Sequence, residues 1–270
     1  MKINASFVKK LLTRFIATEL SRFGYENGIL GLSGGIDSTV AAYLGALALG
    51  PDHVIGLIMP YGDTFGRDVD DAEAVASALG IKTRLIDISP SVDAYYTRFA
   101  TDSRVLKGNK MARERMSILY DFSEREKALI IGTSNKTELL LGYGTLHGDM
   151  ACAINPMGDL YKTQVRILGG HLGIPDQVLN KTPTAGLWEG QTDEQELGLS
   201  YTEIDEILYH MIDKRIPRRE LIGQGFEEAK VDRLIHLIKG AEFKRRMPPI
   251  AKISERSVGH DFLYPYDWDK

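Results

Sequence analysis

The chain has 270 residues, of which 43% are hydrophobic and 26% charged, and a formal net charge of −4. That charge excludes a general attraction to nucleic acid or anionic membrane, and the longest apolar run, 40–49, is far short of the about 20 residues of a membrane-spanning helix. The single cysteine, Cys152, excludes an internal disulfide and suits a reducing compartment. Lys9 and Lys10 interrupt the apolar region near the start, so no secretory signal is visible and a cytoplasmic location is expected.

Residues 1–25 carry Phe7, Leu11, Leu12, Phe15, Ile16 and Leu20 at helical spacing. The apolar stretch Gly28-Ile29-Leu30 then leads into Gly31-Leu32-Ser33-Gly34-Gly35-Ile36-Asp37-Ser38 and on into a good helix former. That order reads as strand, tight glycine turn and helix start, a place where unpaired backbone N–H groups and the helix dipole favour an anion. Gly34 and Gly35 let a phosphate approach the backbone, and Ser33 and Ser38 add hydroxyl donors. Asp37 would repel a phosphate unless a divalent cation lay between them, which implies Mg²⁺. The loop is neither a Walker A motif nor a dinucleotide fingerprint, and a plain turn needs neither the flanking serines nor Asp37.

Further strands are predicted at 54–59, 83–87 and 128–132, after a first at 29–32. Helices are predicted at 38–49, 69–79, near 91–99 and at 111–126. The alternation predicts an α/β fold, a doubly wound parallel sheet with flanking helices, in which ligands bind beyond the carboxyl ends of the strands. Segments 31–38, 60–64 and 133–138 all fall at such ends. In the third, Thr133 is placed to meet a ribose or adenine. Glu138 reads either as a second carboxylate for Mg²⁺ or as part of a helix cap with Ser134 or Asn135.

Segments 142–158 and 181–198 are rich in Gly, Thr, Asp and Pro and are predicted to be long functional loops. Two amphipathic helices follow around Ile204-Ile207-Leu208-Met211 and Val231-Leu234-Ile235-Ile238, and 262–270 reads as a surface strap. The expected organisation is one domain, with a helix over 1–25, a nucleotide-binding core over 26–180 and a loop and helical annex over 181–270.

The first loop resembles the pyrophosphate loop of the N-type ATP pyrophosphatases, Ser-Gly-Gly-x-Asp-Ser. Over nearly its full length the chain resembles the ammonia-dependent NAD⁺ synthetases within that superfamily. The resemblance is carried by 31–38; by Lys107-Gly108-Asn109 with Ala112-Arg113-Glu114-Arg115-Met116; by 132–138; and by Asn155-Pro156 with Lys162-Thr163. It continues through Lys181-Thr182-Pro183-Thr184-Ala185, Asp193-Glu194, Leu197-Gly198, Ser200-Tyr201, Ile204-Asp205 and Lys244-Arg245-Arg246.

This resemblance implies an adenine-nucleotide α-hydrolase-like, Rossmann-like fold and a two-step reaction. The carboxylate of deamido-NAD⁺ is adenylated by ATP with release of pyrophosphate. Ammonia then displaces AMP to give NAD⁺, with no protein nucleophile. It implies ATP binding by 31–38, Thr133, Lys162 and Thr184, and Mg²⁺ coordination by Asp37 and Glu138. It implies deamido-NAD⁺ binding by Arg113, Tyr143, Asp149 and Lys244, and a homodimer with the dinucleotide near the interface. Taken without the resemblance, Arg113 and Lys162 read equally as solvated residues and Tyr143 as simple packing. Gly186, Phe243, Leu146 and Ala153 stand where relatives carry Asp, His, Lys and Asp, which alters the dinucleotide side. Cys152 reads as inert packing, so free ammonia or ammonia from a separate partner is the expected nitrogen source. The two long loops are expected to close over ATP and the adenylate. Two other readings are open: a different N-type ATP pyrophosphatase acting on another acceptor, and a nucleotide sensor without turnover.

Overall fold

The computed structural model describes residues 1–62, 66–188 and 190–258. Residues 63–64 of the expected 60–64 segment and the expected strap at 262–270 lie outside the described residues.

Four parallel strands form the sheet: β1 (Asn27–Gly31), β2 (Val54–Ile58), β3 (Lys82–Leu85) and β4 (Ala128–Ile130). Their order is β3-β2-β1-β4, so the chain first builds outward on one side of β1 and then returns to place β4 on its other side. Gly28 pairs with Val54 across one edge and with Leu129 across the other. Because the order reverses at β1, the loops leaving β1 and β4 diverge and open a crevice beyond their carboxyl ends. The observed strands are one or two residues shorter at their C-termini than the apolar runs suggested, because the chain turns away to form that crevice.

α1 (Ala5–Arg22) precedes the first strand, and the crossover helices are α2 (Ile36–Leu49), α3 (Gly66–Leu79), α4 (Ser89–Arg98) and α5 (Arg104–Arg125). α5 starts seven residues before the predicted 111. Ser103 supplies an N-cap, its hydroxyl accepting from Leu106 N–H, and the polar first turns that hid the start from apolar periodicity are carried along by the rest of the helix. After β4 come α6 (Lys136–Leu141), α7 (Lys162–Leu172), α8 (Asp176–Leu179) and α9 (Asp193–Leu197). The short α9 corrects the expectation that 181–198 is irregular throughout; Thr192 caps its first turn. The annex is α10 (Tyr201–Leu208), which runs on into a π-helical turn at Tyr209–Asp213, then α11 (Arg218–Gly223) and α12 (Glu228–Gly240).

Three apolar clusters hold these layers together. Ile16, Leu20, Val40, Leu44, Val165 and Leu168 join α1, α2 and α7 on one face of the sheet. Val92, Met111, Met116 and Leu119 bring α4 and α5 onto the other. Leu141, Tyr161, Ile204, Leu208, Val231 and Leu234 bind the annex to α6 and the residue before α7. Burying a side chain of this size contributes about 1.5–3 kcal/mol, so the annex is fastened to the helices that border the crevice.

Candidate functional site

The loop after β1 turns at Gly34, whose φ of 72° is left-handed and where a Cβ would lie 2.5 Å from the Asp68 carbonyl oxygen. Glycine is therefore required twice, by backbone conformation and by close approach of α3. Gly35 caps α2 without a side chain, and the first intrahelical bond there is Thr39 N–H to the Gly35 carbonyl. The amides of Ile36, Asp37 and Ser38 thus have no acceptor within the helix. Ser33 and Ser38 pin the turn: their hydroxyls lie 3.0 Å apart, Ser38 Oγ donates to the Gly35 carbonyl at 3.1 Å, and Gly35 N–H donates to Ser33 Oγ at 3.3 Å. This is an anion cradle facing a cavity of about 460 Å³.

Three ionic groups meet beside it. Lys162 Nζ, on the first residue of α7, donates to Asp37 Oδ2 at 2.5 Å and Glu138 Oε1 at 3.0 Å. The lysine side chain is only 4% exposed, against 17% and 18% for the two carboxylates, so the charges compensate one another largely out of water. Its ammonium also sits 5.1 Å from the centre of the Tyr201 ring. Burial pushes the Glu138 carboxyl up to about 7, with Lys162 opposing the shift and Asp37 adding to it. Burial would lower the lysine, but Asp37 and Glu138 raise it overall and hold it charged.

The cap and the site readings of Glu138 are both true. Its Oε2 accepts from Asn135 N–H in a capping box while Oε1 faces Lys162. Asn135 Nδ2 in turn donates to Asp37 Oδ1 at 2.9 Å. Among the described residues there is no cluster of three or more His, Cys, Asp or Glu that would form a metal cage on its own. Two carboxylates that share one cation beside a phosphate cradle match the ligand habit of Mg²⁺, which is bound through one or two carboxylates together with substrate phosphates.

Gly31, Leu32, Ser33, Gly35, Ile36, Asp37 and Ser38 line this cavity, Gly34 forming the turn behind them; Thr133, Glu138, Lys162 and Thr184 line it as well. Of the residues expected on the dinucleotide side, Tyr143, Asp149 and Lys244 also face it, but Arg113 does not. Its Nε donates to the Leu146 carbonyl on the exposed side of α5, whereas Arg115, two positions on, donates to the Met59 carbonyl at 2.9 Å and faces the cavity. The motif names both arginines, and residues two apart on a helix point about 200° away from each other, so Arg115 is the one that lines this cavity.

The other three are engaged in ways the sequence did not indicate. Tyr143 Oη donates to Asp193 and Glu196. Asp149 Oδ1 accepts from Thr145 N–H at 2.7 Å and holds that turn closed. Lys244 Nζ donates to the carbonyls of Gly142 and Gly144, both at 2.7 Å. Asp193 itself is almost fully buried and also accepts from Tyr201 Oη at 2.9 Å. Lys181 clamps the start of the second long loop to α3 through Asp68 and Asp71, at 2.7 and 2.5 Å, and reaches the Gly34 carbonyl. Asp193 and Lys181 stood in the motif that carried the resemblance, but no local signal gave them a role.

A family model described as NAD synthase matches residues 8–248. The chain is 47% identical over 270 residues to the NH(3)-dependent NAD(+) synthetase of Trichlorobacter lovleyi, covering 100% of this chain and 99% of that one. It is 48% identical to the one from Pelodictyon phaeoclathratiforme, covering 100% and 98%. Among solved structures it resembles the NH3-dependent NAD synthetase of Campylobacter jejuni in complex with nitrate, with 32% identity and a TM-score of 0.81 over 93% of this chain and 100% of that one. The NMN synthetase of Francisella tularensis matches it with 32% identity and a TM-score of 0.82 over the same shares.

Proposed function

This chain belongs to the NAD synthase family, and on that premise we propose how its crevice divides the work of amidating deamido-NAD⁺ to NAD⁺ with ATP and ammonia. A carboxylate is a poor acyl donor, so the reaction needs its oxygen converted into a leaving group. The nicotinate oxygen attacks the α-phosphorus of ATP and pyrophosphate departs. Ammonia then adds to the adenylated carbonyl, loses a proton, and AMP leaves with the bridging oxygen. What the protein must supply is charge neutralisation, in-line placement and exclusion of water.

The observation that carries the reading is the meeting of Asp37, Glu138 and Lys162 next to the amides that open α2. Those amides, with the hydroxyls of Ser33 and Ser38, hold the departing pyrophosphate. Asp37 and Glu138 are the residues that would hold Mg²⁺ when ATP is bound, and it would supply charge neutralisation to the phosphates. Lys162 stays charged in its buried setting and serves the same phosphates as a fixed cation. Thr133 and Thr184, which line the cavity, contact ATP.

On the dinucleotide side, Tyr143 offers a ring whose hydroxyl is already fixed by Asp193 and Glu196. Arg115, in place of Arg113, supplies the cavity's guanidinium, and Lys244 and Asp149 hold the wall at 142–149 in shape. Segments 142–158 and 181–198 close over ATP and the adenylate. Protection of both from limited proteolysis on adding ATP is the expected result, and identical cleavage in the two states would refute closure. The enzyme works in the cytoplasm as a homodimer, which sedimentation would test.

The deciding experiment incubates the protein with ATP, Mg²⁺, ammonium and deamido-NAD⁺ and separates the products. Equimolar NAD⁺, AMP and pyrophosphate are expected, and ATP cleavage without NAD⁺ would point to another acceptor. The likeness to the Francisella tularensis NMN synthetase favours one second reading, in which the acid form of NMN is the acceptor. Supplying both acids together decides it by which amide accumulates.

A further inference from the structure

Asp205 lies on α10, outside the crevice wall, and is fully buried with 0% exposure. An ordinary hydrophobic side chain at that point would fill the annex core at no desolvation cost, so a buried carboxylate needs compensation. The compensation comes from the helices that border the site. Asp205 Oδ1 accepts from Thr137 Oγ1 at 2.5 Å, and Oδ2 accepts from Thr163 N–H at 2.8 Å. Thr137 Oγ1 accepts in turn from Lys162 N–H at 3.0 Å.

Thr137 and Thr163 are each the second residue of their helix, α6 and α7. One carboxylate therefore ties the first turns of both helices together, accepting a backbone N–H that lacks an intrahelical partner at α7 and a side-chain hydroxyl at α6. Thr137 directly precedes Glu138, and Thr163 directly follows Lys162. The carboxylate thus fixes the backbone on which both site side chains are mounted, while Asp37 arrives independently from α2.

We propose that Asp205 is a positioning residue, clamping the first turns of α6 and α7 so that Glu138 and Lys162 present themselves to Asp37, Mg²⁺ and the ATP phosphates in one geometry. This rests on the roles given above to Asp37, Glu138 and Lys162. It adds that the annex, which contributes none of those three groups, sets their spacing from behind. Groups that orient a metal site from one layer back commonly govern affinity by about 10–100-fold.

The test is calorimetric binding of a non-hydrolysable ATP analogue with Mg²⁺, alongside steady-state kinetics. Asp205→Ala and Thr137→Val are expected to weaken Mg²⁺–analogue binding about 10-fold and to raise the half-saturating Mg²⁺ concentration in parallel. KM for deamido-NAD⁺ should hold, and Asp205→Asn, which keeps an acceptor for Thr163 N–H, should recover part of the loss. Leu234→Ala, a cavity in the same annex core, should lower the melting temperature without changing analogue affinity. Wild-type affinity in both Asp205→Ala and Thr137→Val, or an equal loss in Leu234→Ala, would overturn the inference. If Asp205→Ala does not fold, Thr137→Val decides alone. Glu138→Gln keeps the two layers of argument apart: unchanged Mg²⁺ dependence in that variant would refute the metal reading itself, whereas a shift there with none in the Asp205 and Thr137 variants refutes only the clamp.

Discussion

The two walls of the crevice are built differently. The wall carrying the phosphate cradle consists of helix N-termini set directly on strand ends, and its charged groups neutralise one another across α2, α6 and α7. The opposite wall, 142–149, 181–188 and 190–192, is made of irregular chain and turns held by side chains that reach for backbone carbonyls or distant carboxylates, as Lys244 and Lys181 do. A wall on secondary structure keeps its shape when empty; a wall tied by a few exchangeable bonds can adapt to ligand.

Substitutions can break that contrast, and the largest effect belongs to the rigid wall. Asp37→Ala removes a carboxylate from the Mg²⁺ site and is expected to cut AMP and pyrophosphate formation by more than about 100-fold. Lys162→Met should abolish turnover to a similar degree. It should also destabilise the fold by about 3 kcal/mol, because two partly buried carboxylates lose their cation, and chemical denaturation would measure this. Gly34→Ala forces a left-handed turn and a clash with Asp68, so KM for ATP should rise about 10-fold with a stability loss of about 1–2 kcal/mol.

On the adaptable wall, Lys244→Met loses two hydrogen bonds to carbonyls, a change of about 1–2 kcal/mol. It should raise KM for deamido-NAD⁺ several-fold and leave the KM for ATP in place; the reverse pattern would dissolve the distinction between the walls. The smallest effect is in the annex surface. Lys230 and Ser200 hold the Glu203 carboxyl down to about 2, below its ordinary 4.5. Its contribution is therefore present above 4.5 and lost as pH falls toward 2, so Glu203→Gln should flatten the acid side of a plot of melting temperature against pH.

The rigid wall is also the one that could be read from sequence. Gly34, Gly35, Ser33 and Ser38 act within one turn of chain, and Glu138 caps its own helix, so short-range spacing carries the meaning of the cradle even though Asp37 meets Lys162 only across 125 residues. The adaptable wall depends on partners that spacing cannot reveal. Lys181 finds Asp71 across 110 residues, Lys244 finds Gly142 across 102, and Tyr143 finds Asp193 across 50. Which of Arg113 and Arg115 lines the cavity depends on the rotation of α5, which the apolar positions of its second half fix only once the sheet face is known. The strand order was expected only as a parallel sheet, because nothing local states that β4 lies beside β1 and not beyond β3.

The separation of the ionic trio along the chain also dictates when the site can exist. Asp37 bonds Asn135 across 98 residues and Lys162 across 125, and Asp205 lies further on still. A chain growing from its N-terminus completes the glycine turn and β2 early, yet the half-buried Asp37 waits for its cation until Lys162, at the start of α7, has been synthesised. Biogenesis thus delivers the cradle first and its counter-charges last, so a nascent chain stalled before residue 162 would hold the loop without the means to use it.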